Sequence, residues 1–215
     1  RVQLKKVEVI EPDQDIANWS KQLLEYPGFS KFLSSKEDLS KTSQYKMRSL
    51  FIDSKSSSKN EIDYLKKIKI KPKLVKFNPG NLSRAEQMCL KTNQFNLSNK
   101  RYKLNELQEL NKRFICFLVN LKDDYGDHGL VSLVILKKYK KLICVDLFLM
   151  SCRIIGRYLE NWILNEIKKI ANINKSNYLI FEFVPSKKNE VAKNFMKENN
   201  LKKININELK KLKKE

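Results

Sequence analysis

The architecture follows from one apolar run, Leu142-Ile143-Cys144-Val145-Asp146-Leu147-Phe148-Leu149, in which Asp146 is the single charged residue. An apolar run of this length predicts a strand buried on both faces of a sheet. Two similar runs precede it, at residues 114–120 and 129–136, and short polar turns separate the three. Connections this short predict an antiparallel meander of three strands.

The residues after this run predict a change of strand direction. An apolar stripe from Ile155 to Ile170 has helical spacing, and Tyr178-Leu179-Ile180-Phe181-Glu182-Phe183-Val184 then predicts a buried strand. A strand, helix and strand in this order place the two strands parallel, with a right-handed crossover. A last helix is predicted from Ser186, as its N-cap, to Asn199. The predicted fold class is therefore α+β with a mixed sheet.

The elements before the meander suggest two parts of the chain. Helical spacing predicts helices at residues 82–91 and 104–111, after an extended stretch at 68–77 and the turn Asn78-Pro79-Gly80. Further upstream we predict a short strand at residues 7–10 and helices at 15–24, 27–33 and 37–52, with one more through Leu65. We place the domain boundary near Lys67, which separates a mostly helical segment, 1–66, from the sheet domain, 67–215.

Composition narrows the class of protein. With 215 residues, 41% of them hydrophobic, the chain can bury an ordinary hydrophobic core. Its length suits one domain with a smaller appended segment. No apolar run approaches the roughly 20 residues of a membrane span, and the first residues lack the apolar run of a signal peptide, so we predict a cytoplasmic protein without a membrane partner. Four widely spaced cysteines and one histidine form no metal-binding pattern, which predicts no metal site in this chain.

The net charge of +20 raises the question of a nucleic-acid partner. Nearly all of the positive charge is Lys, accompanied by many Asn and Ile, as expected from an AT-rich genome. No nucleic-acid-binding motif accompanies the lysine runs. We therefore disfavour nucleic acid and expect the charge to be background or to attract an acidic partner.

The most reactive region is predicted at Met150-Ser151-Cys152-Arg153-Ile154-Ile155-Gly156-Arg157-Tyr158, between the third strand and the crossover helix. Unpaired backbone N–H groups and the helix dipole make a helix start an anion site. Arg153 and Arg157 add guanidinium groups that can grip a phosphate or carboxylate. The same positive environment favours the thiolate form of Cys152, which becomes the candidate nucleophile. The other three cysteines lie in apolar contexts and are expected to be small core residues in a reducing compartment.

Several polar residues are candidates for binding a substrate, each with a structural alternative. Asn93, Gln94 and Asn96 either line a polar site or cap backbone groups where a helix ends. Asn189 has the same two interpretations. Asp146 is either paired in the core or part of the site. His128 lies in a turn and is interpreted as an ordinary turn residue.

Two resemblances can be stated from these residues. Helices, three antiparallel strands, a crossover helix, a strand and a helix form the element order of the GNAT acyltransferase fold. Arg153-x-x-Gly156 resembles the start of the GNAT loop that binds the pyrophosphate of acetyl coenzyme A, although Tyr158 replaces the final small residue. The longer string Ser151-Cys152-Arg153-Ile154-Ile155-Gly156-Arg157 resembles the signature of FkbH-like proteins. Matching blocks are Lys91-Thr92-Asn93-Gln94-Phe95-Asn96 and Pro185-Ser186-Lys187-Lys188-Asn189.

FkbH-like proteins combine a haloacid-dehalogenase-type (HAD) phosphatase of subfamily IIIC with a GNAT-like acyltransferase domain. By resemblance, this chain is the downstream part of such a protein, and residues 1–66 are a remnant of the phosphatase domain. The Asp-x-Asp-x-Thr nucleophile motif and the later acidic pair are missing from it. Mg²⁺ and phosphatase activity are therefore expected only with a HAD core upstream, and this chain is expected to hold no cofactor of its own.

The resemblance implies transfer of a glyceryl group from a small phosphorylated donor to an acyl carrier protein, through a thioester on Cys152. Arg153, Gly156 and Arg157 would hold phosphate or the phosphopantetheine arm of the carrier. Lys91, Thr92 and the polar residues named above would contact the substrate. Two alternatives stay open: a non-catalytic GNAT-like interaction module, and an N-acetyltransferase that uses coenzyme A as co-substrate.

Overall fold

A computed structural model of the chain describes residues 10–27, 41–57 and 60–214, except for the side chains of residues 41, 42, 61, 62, 66 and 214. The chain divides into two compact units, Arg1–Thr42 and Ser43–Glu215. The predicted boundary near Lys67 lies inside the second unit. The phosphatase origin proposed for residues 1–66 remains a prediction.

The first unit contains a short helical segment in its described part. Asp15 caps a 3₁₀ turn, Ile16–Asn18, by accepting a hydrogen bond from the backbone N–H of Ala17, and helix α1 (Trp19–Glu25) follows directly. This agrees with the helix predicted at residues 15–24. The strand predicted at 7–10 and the helix predicted at 27–33 lie outside the described residues except for Ile10 and Pro27.

The second unit is built on one five-stranded sheet with the order β1-β2-β3-β4-β5. Neighbours pair antiparallel from β1 to β4, whereas β5 runs parallel to β4. This order and these directions confirm the predicted α+β class with a mixed sheet. The strands are β1 (Lys71–Lys76), β2 (Ile115–Asp123), β3 (Gly126–Lys138), β4 (Leu142–Met150) and β5 (Tyr178–Phe181).

Seven helices complete the described part of this unit. The two predicted before the meander are present, and the extended stretch predicted at residues 68–77 contains β1, an edge strand of the sheet. The helices are α2 (Lys41–Ser56), α3 (Glu61–Lys67), α4 (Leu82–Lys91), α5 (Leu104–Arg113), α6 (Leu159–Ile173), α7 (Glu190–Glu198) and α8 (Ile206–Lys214).

The sheet separates two hydrophobic cores. On one face, α6 and α7 bury residues such as Ile163, Ile167 and Phe195. On the other face, α4 and α5 bury Met88 and Leu107. All nine residues of β4 are buried, because both faces of this strand are covered. The uninterrupted apolar run in the sequence reflects that position.

A β-bulge interrupts β4 at its one charged residue. Ile135 of β3 pairs with Leu147 and Leu136 pairs with Val145, so Asp146 has no partner in the ladder. An extra residue of this kind bends the strand and redirects a side chain. The bulge places Asp146 on the face of the sheet that α4 and α5 cover.

Two helix starts differ from the prediction. The crossover helix begins at Leu159 and not near Ile155, because Gly156 and Tyr158 have positive φ angles of 92° and 55° that a right-handed helix cannot accommodate. The last predicted helix begins at Glu190. Its N-cap is Asn189, and Ser186 lies before it in a turn. The N-cap predicted at Ser186 was therefore wrong.

The aromatic cluster at the centre of the α6 and α7 core makes a stability prediction. Phe148 packs edge-on against Phe95 and Phe195, with ring centroids 5.0 and 5.7 Å away. Phe148→Ala would leave a cavity beneath both rings and lower the free energy of unfolding by about 3–5 kcal/mol, measured by urea denaturation. Leu90→Ala, at a position that is 55% exposed, is the control, with a change within about 0.5 kcal/mol. A loss below about 1 kcal/mol for Phe148→Ala would contradict this packing.

Candidate active site

Cys152 lies two residues beyond the end of β4 and opens a 3₁₀ turn, Cys152–Ile154. The preceding residue is tied to the sheet, because the N–H of Ser151 donates to the carbonyl of Val131 over 2.8 Å. The carbonyl of Cys152 accepts a hydrogen bond from Nη1 of Arg48 on α2. The backbone at Cys152 is thus held by the sheet on one side and by α2 on the other, while Cys152 itself remains exposed.

The other three cysteines have different surroundings. Burial raises the pKa of the Cys89 thiol to about 11 and that of Cys116 to about 12. Burial also raises the pKa of Cys144. These three side chains therefore stay protonated near neutral pH and are weak nucleophiles. Of the four cysteines, all in the described part of the chain, Cys152 is the exposed one.

Arg153 holds the turn against two other elements. Its guanidinium donates to Oε1 of Gln44 on α2 over 2.8 Å. It also donates to the carbonyl oxygen of His128 on β3 over 2.6 Å. The side chain therefore connects the Cys152 turn to α2 and to the sheet, and a bound phosphate would have to share or replace these contacts.

Arg157 is buried in an ion pair. Its Nε donates to Oδ2 of Asp123 over 2.7 Å, and neither side chain has exposed surface. His128 Nε2 donates to the other carboxylate oxygen of Asp123 over 2.8 Å. The guanidinium also lies 3.8 Å from the ring centroid of Phe51. Its predicted role in binding phosphate would require Arg157 to leave these partners.

Burial and pairing act in opposite directions on Asp123. Burial alone would raise its pKa, but the hydrogen bonds from His128 and Arg157 outweigh burial and hold the pKa of this carboxyl below its usual value of 3.8. The pKa of Arg157 is lowered by burial despite its pairing with Asp123. The ion pair is therefore charged at neutral pH, as a paired buried carboxylate and guanidinium should be.

Gly156 lies in the same turn, under α2. Its carbonyl accepts a hydrogen bond from Nζ of Lys55 over 3.1 Å. A Cβ at this position would come within 3.2 Å of Lys55 Nζ and 3.7 Å of Phe51. Tyr158, which replaces the small residue of the GNAT loop, adopts a left-handed conformation and is 43% exposed. Helix α2 thus covers the turn that was predicted to approach a pyrophosphate.

The polar block after α4 forms a second group. Lys91, Asn93 and Gln94 are exposed, whereas Thr92 and Asn96 are buried. The side-chain oxygen of Asn93 accepts a hydrogen bond from the guanidinium of Arg101 over 2.5 Å, so this contact joins two side chains and caps no backbone group. The amide nitrogen of Asn96 donates to the carbonyl of Lys100. Its Oδ1 has no hydrogen-bond partner among the described residues.

The residues that follow this polar block lie in the sheet, between the second half of β4 and the residues after β5. The parallel pairing of β4 with β5 ends at Val145 and Phe181. Further along, the N–H of Leu97 donates to the carbonyl of Phe148 and the N–H of Val184 donates to the carbonyl of Leu97. Residues 95–97 therefore fill the space that opens between the two strands.

Asn189 holds residues 95–97 in this position, at the place where β4 and β5 separate, which we call the junction of β4 and β5. Its amide nitrogen donates to the carbonyls of Asn96 and Val184, each over 3.0 Å. Its side-chain oxygen accepts from the N–H of Ser186 over 2.8 Å. All of these contacts are to backbone groups, so Asn189 has the structural role that the sequence left open beside a binding role.

Asp146 is the centre of a polar cluster next to this junction. Lys100 Nζ lies 2.6 Å from its Oδ1 and Lys137 Nζ lies 2.7 Å from the same atom. The hydroxyl of Tyr102 donates to Oδ2 over 2.6 Å. Lys100 also contacts Glu182, just beyond β5, over 2.6 Å.

The pKa values in this cluster follow from its hydrogen bonds. Burial would raise the pKa of Asp146, but the hydrogen bonds from Lys100, Lys137 and Tyr102 lower it below its usual value. Burial, and then the hydrogen bond to Asp146, raise the pKa of Tyr102 well above its usual value. Asp146 is therefore a carboxylate and Tyr102 a neutral donor at pH 7.

The predicted site residues thus form two groups. Cys152, Arg153, Gly156 and Arg157 share one turn, whereas Asn96, Asp146 and Asn189 lie around the junction of β4 and β5. Asp146 and Met150 are four positions apart on β4, which is about 13 Å along the strand. Cys152 lies further still along the chain.

Sequence reasoning missed several residues of these groups. Arg48 and Lys55 lie on α2, which was assigned to another domain, although an arginine in a lysine-rich helix is itself a signal. Glu182 interrupts an apolar strand between two phenylalanines and could have been noticed. Lys100 has no such signal, because it is one lysine among many.

The described residues offer neither a metal-binding cluster nor a membrane-spanning helix. No group of three or more His, Cys, Asp or Glu side chains is placed to hold a metal ion within the described ranges. Among the helices that the structure describes, none combines the length and apolar character needed to cross a bilayer.

Comparison with known proteins gives structural likenesses only. No protein-family model matches the chain, and no curated protein matches it. The ribosomal-protein-S18-alanine N-acetyltransferase of Escherichia coli is similar at 9% identity, with 61% of this chain and 77% of that chain covered and a TM-score of 0.48. Ard1 of Thermoplasma volcanium is similar at 11% identity, with coverages of 59% and 80% and a TM-score of 0.46. A ribosomal-protein-alanine N-acetyltransferase of Brucella melitensis biovar Abortus is similar at 11% identity, with coverages of 60% and 89% and a TM-score of 0.44.

The exposure of Cys152 predicts selective alkylation. Iodoacetamide should modify Cys152 in the folded protein faster than the other three cysteines, because Cys152 is exposed whereas burial restricts access to the other thiols and raises their pKa values. Peptide mass mapping after timed quenching would measure the four rates. In urea all four should react, and Cys152→Ser should take up no fast label. Faster reaction of Cys89 or Cys116 in the folded protein would contradict the placement.

The buried ion pair predicts a large and pH-dependent loss of stability in Arg157→Met. At pH 7 this variant should lose about 3–5 kcal/mol in its free energy of unfolding, because Asp123 remains buried without its cation. A carboxyl with a lowered pKa stabilises the fold above its unfolded value, here 3.8, and this contribution is lost as the pH falls through its lower folded value. The gap to the wild type should therefore narrow below about pH 4.

Urea denaturation between pH 7 and pH 3 would measure this effect. Arg113→Met is the matched control at an exposed position and should change the free energy of unfolding by no more than about 0.5 kcal/mol. A gap for Arg157→Met that stays constant with pH would show that the lost stability does not come from the ion pair.

Proposed function

We propose that this chain is an acyltransferase domain that carries an acyl group as a thioester on Cys152. The observation that carries the proposal is the contrast among the cysteines. Cys89 and Cys144 are buried, Cys116 is partly buried, and all three have raised pKa values, whereas Cys152 is exposed just beyond the carboxyl end of β4. Its backbone is held by Arg48 and by the sheet. A nucleophile needs this combination of access and fixed position.

The finer form of the proposal follows the FkbH-like resemblance. The donor is a small acyl phosphate, with glycerate as its acyl group, and the acceptor is the phosphopantetheine thiol of an acyl carrier protein. The Cys152 thiolate attacks the carbonyl carbon, a C–S bond forms, and the C–O bond to phosphate breaks. The carrier thiolate then attacks the thioester, and Cys152 leaves as thiolate.

The surrounding residues receive roles that fit their contacts. Arg153 and Arg157 are positioning residues, because their guanidiniums hold the turn against α2 and β2. The phosphate of the donor would meet Arg48, whose guanidinium already reaches the carbonyl of Cys152. The net charge of +20 would attract an acidic carrier. Four free cysteines fit a reducing compartment, so we propose a cytoplasmic location.

A coenzyme A-dependent N-acetyltransferase is the second candidate, and one observation favours it. Asp146 and Tyr102 form a hydrogen-bonded carboxylate and phenol at the junction of β4 and β5. Such a pair could take a proton from an amine and return one to a leaving thiolate. In this case Cys152→Ser would retain activity and Asp146→Asn would lose it.

Thioester trapping tests the first candidate. The chain is incubated with 1,3-bisphosphoglycerate, quenched in acid and analysed by mass spectrometry. We expect one glyceryl adduct that hydroxylamine removes, transfer of the adduct to a carrier protein with a phosphopantetheine arm, and loss of both in Cys152→Ser. Ser151→Ala, beside the nucleophile, is the control and should load within about twofold of the wild type.

Three results would contradict the proposal. The first is an adduct that forms equally on Cys152→Ser, and the second is an adduct that maps to another cysteine. The third is acetylation of an amine by acetyl coenzyme A that requires Asp146 but not Cys152, which would establish the second candidate.

A further inference from the structure

The two edges of the sheet differ in how they are protected. The β1 edge carries Lys71, Pro72, Lys73 and Lys76. Lysines and proline on an edge strand prevent another strand from pairing with it. The β5 edge is Tyr178-Leu179-Ile180-Phe181, without charge or proline. An edge strand without charge or proline can pair with a further strand.

The free hydrogen-bonding groups of β5 can be assigned from its pairing. The N–H of Tyr178 donates to the carbonyl of Lys141, and the N–H of Glu182 donates to that of Val145. Alternate residues of a strand point their N–H and C=O groups to opposite sides. Leu179 and Phe181 therefore direct these groups away from β4. Among the described residues, no strand pairs with this edge.

A groove of about 630 Å³ lies along this edge. Besides β5, it is lined by Met196 of α7, by Leu201 and Ile204 in the chain that follows, and by Leu212 of α8. These side chains make the groove apolar next to the free backbone groups. Its lining therefore suits a segment with apolar side chains on one face and an extended backbone.

The charged residues that line the groove are all positive. Lys193, Lys197, Lys202 and Lys203 line it, and none of the described lining residues is Asp or Glu. Lys193 is paired with Glu190, outside the lining. Lys197, Lys202 and Lys203 are exposed. A ligand with negative charges next to its apolar groups would complement this groove.

We propose that the β5 edge binds an extended acidic segment of a partner protein, which adds to the sheet as a sixth strand. Its backbone pairs with Leu179 and Phe181, its apolar side chains contact Met196 and Leu201, and its carboxylates lie beside the lysines. This is recognition by strand addition. The proposal is independent of the chemistry at Cys152.

A second copy of the chain fits the groove less well than an acidic partner. Pairing of β5 with β5 of a second copy would bring two sets of the same four lysines together, and like charges across an interface are repelled. Nucleic acid also fits poorly, because the phosphate backbone would meet the lysines but could not use the free N–H and C=O groups of the strand.

A designed peptide tests the proposal. The probe is an eight-residue peptide of alternating Glu and Val, blocked at both ends and labelled with a fluorophore, and its binding is measured by fluorescence anisotropy at about 0.15 M salt. We expect saturable binding and slower hydrogen exchange at the amides of Leu179 and Phe181. A peptide of the same charge with proline in place of each Val should not bind, because it lacks half of the N–H donors and cannot form a strand.

Charge-reversal variants separate this edge from the general charge of the protein. Lys197→Glu combined with Lys202→Glu should weaken binding of the Glu-Val peptide at least about tenfold. The matched control is Lys71→Glu combined with Lys73→Glu on the β1 edge, which changes the net charge equally at two exposed lysines and should alter binding by less than about twofold.

Three outcomes would overturn the proposal. The first is equal binding of the proline peptide, which would show attraction by charge alone. The second is an equal loss of binding in the β1-edge control. The third is a concentration-dependent dimer of the chain alone that protects the amides of Leu179 and Phe181, which would make a second copy the occupant of the groove.

Discussion

Asp123 and Arg157 form an ion pair without exposed surface, and the turn that contains Cys152 depends on it. Asp123 ends β2 and Arg157 follows the turn after β4, so the pair joins the sheet to the segment that leads into α6. Removing two charges from water is unfavourable, and pairing offsets that cost only when further contacts complete the pair. His128 and the ring of Phe51 supply those contacts. Because Phe51 belongs to α2, the ion pair also fixes the helix that lies over the turn.

A second constraint is the bulge at Asp146. It places a carboxylate on the α4 and α5 face, where three donors converge on it, and it lies next to the point at which β4 and β5 separate. Residues 95–97 fill the space between the separated strands. The polar cluster and the inserted segment support each other, because Lys100 follows the segment and binds both Asp146 and Glu182. Asp146 therefore lies within β4, whereas the Cys152 group follows the end of this strand.

The sheet was predictable from sequence because its evidence is local. Apolar runs and short turns indicate the meander, and the length of the crossover indicates the parallel strand. The start of α6 was not predictable from the apolar stripe, since Ile155 satisfies the stripe although Gly156 and Tyr158 break the helix. The exposure of Cys152 agrees with the sequence-based expectation that it differs from the other three cysteines, which were expected in the core. The partner of Arg157 could not be predicted, because Asp123 lies 34 residues away in a segment that the sequence indicates only as a polar turn, whereas in the structure it ends β2.

An AT-rich genome would explain the large number of lysines in the chain, but not which lysines make specific contacts. Lys100 and Lys137 neutralise Asp146, and Lys55 binds the carbonyl of Gly156. The lysines of β1 protect one sheet edge, whereas those of the groove surround an edge that has no such protection. The same residue type therefore has opposite effects on strand pairing, according to whether it lies in the edge strand or beside it. A positive surface that arises from composition alone would not distinguish the two edges, and this difference makes the β5 edge a specific surface rather than a part of the general charge.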